Sequence, residues 1–104
     1  MKSRSLEITK EKTSEAAIFT IKGRVDSINA EVLQKHLDEA LKEGQKNFIL
    51  NMFQVEYLCS IGIRVIINTY KAARDAGGKL GVEQPSENVR RVLAITSLDE
   101  MLII

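Results

Sequence analysis

FILNMFQVEYLCSIG, running from Phe48 to Gly62, decides how this chain folds. The near-continuous apolarity of Asn47–Phe53 predicts a strand at the centre of a sheet, covered on both faces. A turn follows, carrying Tyr57 and Leu58 beside Cys59, and these two residues read equally as core or as an apolar contact patch. Ser60 then opens a helix expected to reach Ala76, with Ile63, Ile66, Ile67, Tyr70 and Ala73 forming its buried stripe. Serine is among the best N-cap residues, and such a cap contributes about 1 kcal/mol. The same position favours negative charge, because the first N–H groups of a helix lack intrahelical partners and its dipole is positive there. Ser60 therefore reads as a plain cap or as a hydroxyl on which a phosphate would be well held.

Upstream, Ser5 to Glu11 alternates as a half-buried or edge strand, Thr13 to Glu15 makes a turn, and Ala16 to Lys22 forms a second strand. Gly23 is expected to end that strand. Ser27 or Asn29 would cap a helix over Ala30 to Glu43, with Val32, Leu33, Leu37, Ala40 and Leu41 on its buried face and Gly44 just past its end. Downstream, Gly77 and Gly78 stop the long helix and Leu80 to Glu83 reads as a strand that Pro85 breaks. Ser86 caps a last helix carrying Val89, Val92, Leu93 and Ile95. Leu98 and Met101 to Ile104 close the core.

This order, β-β-α-β-α-β-α with a final apolar segment that reads as a further short strand, predicts an α/β fold. Its mixed central sheet has a parallel core and an antiparallel N-terminal hairpin. Right-handed crossovers gather the turns after Lys22, Tyr57 and Gln84 at one sheet edge. Asp26, Ser27, Ser60 and Ser86, remote in sequence, are then expected to share one rim.

Composition narrows the function. A chain of 104 residues, 44% hydrophobic and 28% charged, is expected to form one domain spanning residues 1–104. A net charge of +1 makes no electrostatic case for nucleic acid or membrane surfaces. The N-terminal MKSRSLEITKEK lacks an apolar signal core, and the longest apolar stretch, Ile61 to Ile67, is short and interrupted by Arg64, which points to the cytoplasm. The single cysteine forms no internal disulfide, and one Cys with one His makes no zinc site, so neither metal nor cofactor is expected. Cys59 at a helix N-terminus raises a thiol-dependent enzyme as a hypothesis. A nucleophile needs a base, however, and His36 lies among Val32, Leu33, Leu37 and Ala40, where a structural role is expected.

Four segments in order, IFTIKGRVD (18–26), FILNMFQVEYLCSIGI (48–63), GGKLGV (77–82) and VRRVLAITSLDEMLII (89–104), resemble a STAS domain of the bacterial anti-sigma factor antagonist type. That family has a strand ending G-x-[LIV]-D, matched by Gly23–Asp26, and a second ending near D-S-[ST]-G-[LI]. In the second motif Ser60, Gly62 and Ile63 match, Cys59 replaces the aspartate and Ile61 replaces the second hydroxyl. The resemblance implies a non-enzymatic binding protein, monomeric or weakly dimeric, that engages an anti-sigma factor of serine-kinase type. It further implies control by phosphorylation of Ser60, reversed by a phosphatase, with Asp26, Ser27, Cys59, Ile61, Gly62 and Arg64 at the partner surface. The cysteine at the aspartate position favours a second reading, a scaffold subunit of a stress-signalling or lipid-transport assembly that is never phosphorylated.

Overall fold

A computed structural model describes residues 6–104. Side chains that alternate along the chain build its sheet. β1 (Leu6–Lys12) pairs antiparallel with β2 (Ala17–Val25), while β3 (Asn47–Leu58) lies parallel between β2 and β4 (Lys79–Glu83) in the order β1-β2-β3-β4. The expected start of β1 at Ser5 lies outside the described residues. Thr13 closes the hairpin by accepting the N–H groups of Glu15 and Ala16 on its hydroxyl. α1 (Ala30–Lys42), α2 (Ser60–Asp75), α3 (Glu87–Ile95) and a short α4 (Asp99–Leu102) complete the chain. Ile103 bridges Val82 in parallel, and the Ile104 N–H donates to the Val82 carbonyl at 2.9 Å, so the apolar C-terminal segment does extend the sheet.

One core binds these elements. Phe19, Ile21 and Val25 of β2 and Phe48, Leu50, Met52, Val55 and Leu58 of β3 are buried with Leu33 and Leu37 of α1 and Ile63 and Ile66 of α2. Phe19 and Phe48 stack with ring centroids 6.1 Å apart. Lys10 reaches Glu43 at 3.0 Å and, with Lys12, holds that carboxyl below its usual range, tying β1 to the end of α1.

Burial corrects four local expectations. β3 is packed on one face only, because Ile49 is half-buried and Phe53 is 52% exposed. β4 is short, pairs only with Asn47–Asn51 and leaves the rest of β3 running past it. Gly23 does not end β2. It adopts φ +98°, and register shifts fall between Thr20 and Lys22 and between Gly23 and Arg24, so β2 follows a bulged β3 as far as Val25. Val32 lies outside the buried stripe of α1 and Ala30 takes a place in it. At the C-terminal side, Leu102 is buried but Ile95, Met101 and Ile104 are exposed.

Candidate functional site

The carboxyl end of the sheet joins two turns. The Cys59 N–H donates to the Val25 carbonyl at 3.0 Å, locking the start of α2 onto the end of β2. Gly62 makes this approach possible. A Cβ there would sit 2.7 Å from Val25 Cγ1 and 2.8 Å from Leu58 Cδ1, both on buried side chains. Gly62→Ala is therefore expected to cost about 1–3 kcal/mol through overpacking, read as a lowered urea midpoint at unchanged slope. An unchanged midpoint would show that α2 lifts off without penalty.

The other turn is self-contained. One Asp26 carboxylate oxygen accepts the N–H groups of Ile28 (3.0 Å) and Asn29 (2.9 Å). Asn29 replies by accepting the Asp26 N–H and donating to the Arg24 carbonyl, both at 2.9 Å. Asn29 therefore occupies the N-cap position of α1 without a side-chain bond into the helix, and Ser27 does not cap it either. Asp26 is half-buried and shapes the turn, whereas Ser27 and Ile28 project from it into solvent.

Ser60 is the first helical residue of α2 and not its cap. Cys59 holds the N-cap position with extended backbone, and its Sγ accepts the Gly62 N–H at 3.4 Å. Its carbonyl accepts the Ile63 N–H at 3.0 Å. A thiol sulfur is a weak acceptor, so this cap is poorer than the serine or aspartate caps common elsewhere. Cys59→Asp is expected to stabilise the fold by about 0.5–1 kcal/mol, because an anionic oxygen accepts better and complements the dipole. Thermal denaturation checks this, and a lower midpoint would contradict it.

With the cap role taken by Cys59, the Ser60 side chain is exposed. Ile61 beside it is 40% exposed and Arg64, one turn on, is open to solvent. Ile28, 83% exposed, and Val32 add apolar surface from the α1 side, and α1 packs on α2. Sequence reasoning missed these two residues, although an isoleucine between Ser27 and Asn29 in a polar turn was a usable signal.

The uncertainty over Tyr57 and Leu58 resolves into both answers. They lie in β3 and not in a turn, Leu58 is buried, and Tyr57 is 41% exposed. The Arg24 guanidinium, opposite Tyr57 in register, lies 4.4 Å from its ring centroid. Ser86 does not join the rim. Its hydroxyl donates to the Val55 carbonyl at 2.7 Å and accepts the Val89 N–H at 3.1 Å, capping α3 as expected. That places it level with Val55, about 10 Å short of Leu58 at the usual strand rise. β4 ends opposite Asn51, so the turn that follows it is set back.

His36 is half-buried on α1, its Nδ1 at 2.8 Å from the Val32 carbonyl, which fits the structural role expected. Among the described residues, no group of three or more His, Cys, Asp or Glu side chains is placed to hold a metal ion, and no helix is long and apolar enough to cross a membrane.

Known proteins give this arrangement a family. Residues 7–104 match the family model of the STAS domain. A Thermotoga neapolitana protein named a TM1081 homolog is 36% identical over 75 residues, which span 71% of this chain and 66% of that protein. The anti-sigma-B factor antagonist of Bacillus subtilis is 31% identical over 82 residues, covering 79% of this chain and 74% of its own. The crystal structure of an anti-sigma factor antagonist from Mycobacterium paratuberculosis superposes with a TM-score of 0.83 at 20% identity, over 97% of this chain and 86% of the other, and so shares the fold. The chain belongs to the STAS domain family.

Proposed function

We propose that this chain is an anti-sigma factor antagonist whose residues 1–104 act as one cytoplasmic domain, monomeric or weakly dimeric. Unmodified, it binds an anti-sigma factor of serine-kinase type through the rim formed by Ser27, Ile28, Ile61 and Arg64 around Ser60. That binding releases the sigma factor the partner would otherwise hold. Phosphorylation of Ser60 ends the interaction, and a phosphatase restores it. The observation that carries this reading is the exposed Ser60 hydroxyl at the first position of α2, set within an apolar rim. The kinship to the Bacillus subtilis anti-sigma-B factor antagonist supports the same role.

Cys59, Gly62 and Asp26 contribute to binding through placement: they cap α2, allow its close approach and shape the neighbouring turn. Cys59 is not a nucleophile in this reading, so Cys59→Ala loses only a weak sulfur cap and leaves partner binding largely unaffected. A turnover activity lost in that variant without unfolding would overturn the assignment.

The test pairs the chain with the anti-sigma factors of its own genome. The unmodified domain is expected to bind one of them, and intact mass after incubation with that partner and ATP is expected to show one added phosphate, on Ser60. Arg64→Ala, a change at an exposed position, is expected to weaken binding about tenfold, the upper end for a charge at an interface rim. Partner binding with no phosphate added favours the second reading, a constitutive STAS scaffold, which the cysteine beside Ser60 also favours. Binding to none of the candidate partners removes the proposal.

A further inference from the structure

We infer that the open face of the sheet carries a second docking groove, separate from the Ser60 rim, that receives a basic segment of a protein partner. The groove has a volume of about 850 Å³, and Phe53 and Gly23 lie in its lining. Its concavity is built into the strands. The two register shifts that flank this part of β2 bend the sheet, and Gly23 between them adopts φ +98°. The far wall is stapled in place: Ser86 donates to the carbonyls of Met52 and Val55, and the Asn88 amide donates to the Glu56 carbonyl at 2.8 Å. A wall held by three such bonds needs little ordering when a ligand arrives.

Charge selects the occupant. Glu7 lies on one side and Glu56 and Glu87 on the other, against Lys22 as the one cation among the described lining residues. Among the described residues Glu7 and Glu56 make no ion pair, and Glu87 has only a 3.7 Å contact with exposed Arg91. An exposed aromatic ring between carboxylates suits a lysine or arginine side chain, whose cation is drawn to the ring face and whose stem covers apolar surface. Lys22 lines the groove and alternates along β2 with Phe19 and Ile21, which are buried in the core with α1 and α2, so a ligand here leaves the Ser60 rim free and both surfaces can be occupied together.

The probe is a short acetylated peptide alternating alanine with lysine, titrated into the labelled domain and followed by amide chemical shifts. The changes are expected at Glu7, Lys22 and Gly23, from Phe53 to Glu56, and from Ser86 to Asn88. E56Q combined with E87Q is expected to weaken binding about fivefold, the range for a pair of exposed carboxylates. Phe53→Ala is expected to weaken it further, Lys22→Gln to tighten it, and Ser60→Asp to leave it unchanged. Shifts that lie elsewhere, equal binding of the matching glutamate peptide, or indifference to the E56Q and E87Q pair would each overturn the proposal. Because Ser60→Asp tests the rim alone, failure of the groove is distinguishable from failure of the switch.

Discussion

Placing a phosphate on Ser60 is expected to weaken anti-sigma factor binding by about a hundredfold, equivalent to about 2.7 kcal/mol, with little change in thermal stability. The two halves of this expectation have separate causes. The modification adds about −1.5 to −2 charges at neutral pH. In the free domain that charge faces solvent next to the N-terminus of α2, where the N–H groups of Ser60 and Ile61 lack intrahelical acceptors. The fold therefore tolerates the phosphate or gains slightly from it. At the interface the same charge must be desolvated against a rim whose exposed neighbours include Ile28 and Ile61. Ser60→Asp should reproduce the direction with a smaller effect, and Ser60→Ala should bind whatever the kinase does. Calorimetric titration of the three forms, with melting curves alongside, measures both halves. Equal affinity of the phosphorylated and unmodified forms would end the switching role, as would a phosphate that arrives on Ser27 or Ser86 instead.

Gly78→Ala is expected to cost at least about 3 kcal/mol of stability, the top of the usual range for overpacking. A Cβ at Gly78 would collide with the backbone carbonyl of Lys46. That carbonyl cannot rotate away like a side chain, because it accepts the Lys79 N–H at 3.0 Å and so starts the pairing of β3 with β4. Relief requires separating the two turns that enter these strands, at the opposite end of the sheet from Ser60. The effect should therefore appear in the denaturation midpoint, while whatever fraction remains folded binds its partner normally. Gly77→Ala provides the contrast. No atom lies within 4 Å of its added methyl, and its cost comes only from a φ of +88° that side chains rarely adopt. A Gly78→Ala midpoint equal to that of Gly77→Ala would refute the collision argument.

Local pattern carried most of the architecture. Alternation in Leu6–Lys12 and Ala17–Val25, the apolar run from Phe48 to Met52 and the 3.6-residue spacing in α1 and α2 are properties of neighbours in the chain, so element order and parallel pairing were legible before any coordinates. The stops at Gly44 and Gly77 were equally plain, both adopting the left-handed conformation their positions implied. The Ser60 position was readable as a helix start for the same reason.

What the chain could not display by itself depends on how strands of different lengths meet. Nothing in LGVEQP states that β4 ends opposite Asn51, yet that length sets Ser86 back from the rim. Nothing in GRVD shows that Gly23 would bend a continuing strand and not end it, because the bulges arise from extra residues on β3. The cap of α2 passed from Ser60 to Cys59 because the Cys59 N–H is spent on Val25, a residue 34 positions earlier, which fixes where the helix begins. Sequence by itself determined the elements, their order and the hydroxyl at the head of α2, since each follows from short-range periodicity and capping chemistry. Tertiary structure alone decided which side chains that rim exposes and which face of the sheet stays open, since both depend on register between segments far apart in the chain.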